Sequence, residues 1–185
     1  LSATRVNASQ LIEKGRENIL LQSNQFDTTW LQSNVSVTSG QSGYDGTNDA
    51  WLLNKAAAYG ANYQTGISAT NGGVYTASVY MKAGTQTSGS LRLSTGAGAD
   101  YRVRFDLTTG AISTASANNG TRIGATTTDV GGGWWRVSVT GKTNNTTITI
   151  NLYAGDTATT SGTIYIQDSQ LEQGLVATPY IETGA

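Results

Sequence analysis

Carboxylates are the residues of this sequence with the most scope for chemistry, because its 185 residues include no His and no Cys. Their absence excludes Ser-His-Asp and Cys-His nucleophiles, thiolate or imidazole metal sites, and disulfides. Glycoside hydrolysis needs two acids flanking one bond, about 5 to 9.5 Å apart. The acids here are scattered. Asp45, Asp106, Asp129 and Asp156 fall in turn sequences, where Asp is favoured by the local hydrogen bonds of its side chain. The reading is no enzyme. Asp168 and Glu172 stand at i and i+4 on the last strand-like run, so an unbroken strand would put both on one face. Such oxygens could belong to a Ca²⁺ site, although that ion takes about six to eight oxygen ligands. Two acids alone rarely supply that many, so the favoured reading has the pair bond the N-terminal segment or neutralise Lys14 or Arg16.

Aromatic residues offer a second kind of site. Tyr44, Tyr59, Tyr63 and Tyr101 lie in or beside stretches rich in Gly and Asn. Arg102, Asp45, Asn48, Asn62, Gln64 and Asp100 are close to them in sequence. Rings beside a few hydrogen-bonding side chains suit a saccharide. Tyr at a strand end also covers a core while its hydroxyl stays wet, and both roles fit this pattern. Trp30, Trp51, Trp134 and Tyr80 read as core or interface residues.

The elements that must position these side chains are strands. Only 12% of residues are charged, about half the usual share of roughly 25%, and Thr, Ser, Asn and Gly take their place. Period-2 alternation recurs at 35–37, 74–82, 91–93, 101–105, 134–140, 147–153 and 163–172, and the apolar run at 50–53 reads as a buried strand. Arg102 and Arg104 fall on one face, opposite Tyr101, Val103 and Phe105. Ile19-Leu20-Leu21 reads as a further short apolar run. No amphipathic helix separates the strands, so a sandwich is expected rather than a parallel α/β sheet. Residues 1–16 read as a lead-in arm, helical or extended, or the end of a preceding unit, with Ser9 able to cap a helical turn. Residues 17–185 form the sandwich domain. The opening at Leu1 reads as a cut from a longer protein. Twelve acidic against eleven basic residues leave no electrostatic footprint for nucleic acid, and no apolar run is long enough to span a membrane.

Several ordered blocks carry a resemblance. Glu17-Asn18-Ile19-Leu20-Leu21-Gln22-Ser23 followed by Phe26 and Trp30, with Arg5-Val6-Asn7-Ala8-Ser9-Gln10-Leu11-Ile12-Glu13 ahead of it, resembles the opening of a module common in bacteriophage tail-fibre and virion proteins. Tyr75-Thr76-Ala77-Ser78-Val79-Tyr80-Met81-Lys82-Ala83-Gly84 is similar to its middle strand, and Gly133-Trp134-Trp135-Arg136-Val137-Ser138-Val139-Thr140 to a later one. Gln170-Leu171-Glu172-Gln173-Gly174 with Ala177-Thr178-Pro179-Tyr180-Ile181 looks like its close. Trp135 and Pro179 depart from the usual Tyr and Ser. The resemblance covers nearly the whole chain. It implies an all-β, jelly-roll-like antiparallel sandwich similar to carbohydrate-binding modules, in a homotrimeric virion appendage. Its partners would be copies of itself, other virion proteins and a host surface glycan. A structural Ca²⁺ near Asp168 and Glu172 is also implied. The alternative setting is an ancillary carbohydrate-binding module of a secreted polysaccharide-active enzyme.

Overall fold

The structure is a computed structural model and describes residues 4–6, 12–95, 100–118, 121–158 and 160–184. Among these residues every regular element is a strand. One six-stranded sheet runs β10 (Ile112–Asn118), β9 (Asp100–Asp106), β8 (Ser88–Ser94), β13 (Thr147–Ala154), β6 (Ala61–Ser68) and β3 (Leu31–Ser33). The other runs β11 (Thr121–Gly131), β12 (Trp134–Lys142), β7 (Val74–Ala83), β14 (Gly162–Gln173), β5 (Ala50–Lys55) and β4 (Val35–Gln41). Neighbouring strands are antiparallel throughout. The chain is therefore an all-β, jelly-roll-like sandwich.

Alternation builds the core. Leu91, Leu93, Val103, Phe105, Ile150 and Leu152 point inward from the first sheet to meet Ala77, Val79, Met81, Val137 and Ile166 from the second. Each large aliphatic side chain buried this way contributes about 2 kcal/mol. Trp30, Trp51, Trp134 and Tyr80 are all buried.

Several expectations about elements need correction. Residues 31–33, 61–68, 112–118 and 121–131 form strands outside the runs expected from alternation. β6 contains Gly66 and a break in its pairing with β13, and β11 is an exposed Thr-rich edge. The run Ile19-Leu20-Leu21 is no strand: it turns, burying Leu20 and leaving Leu21 exposed. In the lead-in arm, β1 (Thr4–Val6) pairs with β2 (Ile12–Lys14) as an extended hairpin. The helical turn expected after Ser9 lies outside the described residues.

The outer face of the second sheet is closed by the chain's last segment. Arg136 donates to the Thr178 carbonyl, Gln170 Oε1 accepts the Ile181 amide at 2.7 Å, and Ser23 N donates to the Thr183 carbonyl at 3.1 Å. Asn18 joins both ends, donating to the carbonyls of Ser169 and Ile181 at 3.0 Å each and accepting from Leu20 and Leu171. Thr76 and Ser78 are buried as a result, although their strand alternates like a half-exposed one.

Candidate binding cleft

The first sheet keeps its outer face open, and pairing register aligns the side chains there. One row crosses all six strands: Leu31, Tyr63, Asn151, Arg92, Arg102 and Ser116. At about 4.8 Å per strand the row is about 24 Å long. Asp100 lies in the adjacent row on one side and Tyr153 in the row on the other. All of these but Leu31, together with Tyr59 and Thr157, line a cleft of about 440 Å³.

The walls of the cleft are held by polar contacts. Arg92 Nη2 donates to Asp100 Oδ2 at 2.8 Å. Burial works against the Arg92 cation, but the Tyr153 hydroxyl and the Asp100 carboxylate outweigh it and raise its pKa. Arg102 Nη1 donates to Thr157 Oγ1 at 2.6 Å. Arg104 reaches Ser88 Oγ at 3.0 Å and Asp156 Oδ2 at 3.2 Å. Behind the cleft, Lys55 Nζ sits 5.7 Å from the centre of the Tyr153 ring and donates to the Asp156 carbonyl. Burial pulls the Lys55 ammonium below its usual range, partly offset by the Asp156 charge.

Two features of the cleft cost stability. Tyr59 is 74% exposed and holds φ at 61°, a left-handed conformation uncommon for residues other than Gly. Its amide is fixed by the Thr157 carbonyl at 2.7 Å. Asn151 Nδ2 is buried and has no hydrogen-bond partner among the described residues, a deficit of about 1 to 3 kcal/mol.

Of the five tyrosine and arginine candidates, the fold brings together Tyr59, Tyr63 and Arg102. Tyr101 instead points into the core, as strand alternation beside Arg102 requires; its ring is fully buried and its hydroxyl donates to the Lys142 carbonyl. It offers no surface to a ligand. Tyr44 lies against the other sheet, stacked on Tyr80 with ring centres 3.7 Å apart, and its hydroxyl donates to Asp168 Oδ2 at 2.9 Å. Arg92, Asn151 and Tyr153 were not singled out from sequence. Alternation in Leu91-Arg92-Leu93 and Ile150-Asn151-Leu152-Tyr153 turns them outward, but only the cross-strand register places them beside Tyr63 and Arg102.

Asp168 and Glu172 do not share a site. β14 bulges between Gln167 and Gln170, with Asp168 at φ 53°, and the bulge breaks the alternation that would have aligned them. Glu172 accepts from the Thr178 amide at 2.9 Å, the Thr178 hydroxyl and Gln170 Nε2 at 2.5 Å. That shell of N–H and O–H donors fits an anion acceptor and does not fit Ca²⁺, which calls for oxygen ligands. Among the described residues no group of three or more metal-ligating side chains converges. Asp168 is buried beside Tyr44. Burial pushes its carboxyl up to about 6 against the Tyr44 hydrogen bond, with the Asp49 and Asp45 charges acting in the same direction as burial.

No family model and no curated protein matches the chain. Solved structures do. The CBM22-1–GH10 modules of endo-1,4-beta-D-xylanase 10B from Clostridium thermocellum, complexed with xylohexaose, match at 17% identity and TM-score 0.50 over 86% of this chain. The match spans only 28% of that xylanase chain. A candidate sugar-binding protein from Bacteroides thetaiotaomicron matches at 12% identity and TM-score 0.50, over 85% of this chain and 100% of that one. The CBM22-1 xylan-binding domain from Paenibacillus barcinonensis Xyn10C matches at 15% identity and TM-score 0.48, over 89% of this chain and 99% of that one. The chain thus has the β-sandwich fold found among carbohydrate-binding modules.

Proposed function

We propose that this chain is a non-catalytic glycan-binding module whose ligand lies across the outer face of the first sheet. One observation carries the reading: an exposed, strained Tyr59 stands over a cleft whose floor aligns Tyr63, Asn151, Arg92 and Arg102. Asp100 is the sole carboxylate among the residues lining that cleft, and Arg92 engages it. Glycoside hydrolysis by a carboxylate pair needs a second, so the arrangement favours binding. Of the two settings expected from sequence, the fold neighbours favour a module of a polysaccharide-active enzyme. The second setting, a homotrimeric virion appendage, rests on the ordered sequence blocks. Light scattering of the full parent protein tests that setting, and a monomer overturns it.

Affinity electrophoresis and calorimetry against a polysaccharide panel test the binding reading. Tyr63→Ala and Tyr59→Ala are expected to weaken binding at least tenfold, a loss of about 1.4 kcal/mol each. Tyr59→Ala should leave Tm nearly unchanged, since the ring is exposed and Ala keeps the Cβ on which the left-handed strain depends. Wild-type protein that binds no glycan, or Tyr variants that bind unchanged, would sink the proposal.

A further inference from the structure

Resting on the cleft as the glycan site, we infer that its ligand is an anionic saccharide, with a hexuronic acid carboxylate paired to Arg102. Around the cleft stand four cations, Lys55, Arg92, Arg102 and Arg104, against two carboxylates, Asp100 and Asp156. The chain as a whole carries a net charge of −1, so positive charge is concentrated on this face. Asp100 compensates Arg92 and Asp156 compensates Arg104. Lys55 has the Asp156 carbonyl and charge. Arg102 is different: its hydrogen bond is to the neutral Thr157 hydroxyl, and among the described residues it has no carboxylate partner.

That asymmetry selects a ligand. A neutral sugar ring laid over Arg102 would strip water from a guanidinium without supplying an opposing charge, which is costly. A carboxylate returns the lost solvation and matches the guanidinium fork with two parallel hydrogen bonds. Arg102 has one nitrogen fixed by Thr157, so the side chain is oriented before the ligand arrives and loses little freedom on binding. Tyr63 lies three strands away in the same row, past Asn151 and Arg92. The same chain can therefore rest on a ring at one end and be read for charge at the other.

The test is calorimetry on the full chain with three probes of similar length: xylohexaose, an oligogalacturonate and a heparin-type sulfated oligosaccharide. The oligogalacturonate is expected to bind at least tenfold tighter than xylohexaose, with the margin shrinking as salt is raised. Arg102→Gln should bring those two affinities within about twofold of each other without shifting Tm. Arg102→Lys should retain the salt dependence but lose part of the preference. Equal or tighter binding of xylohexaose, unaltered by Arg102→Gln, overturns the anionic ligand while leaving the glycan-binding reading intact. Preference for the sulfated probe overturns the carboxylate assignment. Failure of all three probes and of the wider panel overturns both.

Discussion

At the scale of single residues, buried polar groups on the second sheet carry consequences that can be measured. Asp168 in the folded chain has a pKa of about 6, against the ordinary 3.8, because burial outweighs the hydroxyl that Tyr44 donates. Between those values the native state holds more protons than the unfolded chain, so stability falls as pH rises through the window. No histidine titrates nearby in pH to mask it. Wild-type protein should therefore gain thermal stability as pH is lowered from 7 toward 5. Asp168→Asn should flatten that slope, and melts of the two proteins at both pH values check it. Asp45 acts in the opposite sense: burial raises its carboxyl, but the Thr47 hydroxyl and amide and the Gln167 amide outweigh it and hold it below 3.8. Its contribution is lost only at lower pH. Asn18 makes four hydrogen bonds that tie the first irregular segment to β14 and the chain end. Asn18→Ala leaves buried amides and carbonyls unpaired and should cost about 2 to 4 kcal/mol, readable by urea denaturation.

At the scale of elements, turns and bulges decide where alternation starts and stops. The connection from β9 to β10 is built on Asp106, whose carboxylate accepts from the Thr108 and Thr109 amides at 2.8 and 3.1 Å. Gly110 completes it at φ 73°. A Cβ added there would stand 2.2 Å from the Trp135 ring, whose Nε1 donates to Leu107 O at 3.0 Å. Gly110→Ala combines a left-handed backbone with overpacking and should cost about 2 to 4 kcal/mol. Lower Tm together with a shifted Trp fluorescence maximum would show it. The bulge in β14 has the larger effect on interpretation. It sends Asp168 toward Tyr44 and Glu172 toward Thr178, dividing a pair that ideal strand geometry would have joined.

For the molecule as a whole, the two sheets have different fates. The second is covered by residues 174–184, which hydrogen-bond Arg136, Gln170 and Glu172. Deleting residues 178–185 would strand these groups together with Asn18, and circular dichroism melts should show cooperative destabilisation by several kcal/mol. Among the described residues no such segment covers the first sheet's row from Tyr63 to Arg102, and this difference is why that face is the one proposed to bind. Composition and period-2 alternation determined by themselves that the chain is an all-β sandwich, and that Arg92, Arg102 and Arg104 turn away from the core. Those features depend on local sterics and on keeping apolar side chains from water, and both are written residue by residue. The tertiary structure alone decided that Tyr101 is core, that Tyr44 belongs to the opposite sheet, that a bulge parts Asp168 from Glu172, and that Tyr63 and Arg102 share one cleft. Register and sheet order bring together strands distant in sequence, so the contacts that make a site depend on partners no local pattern specifies.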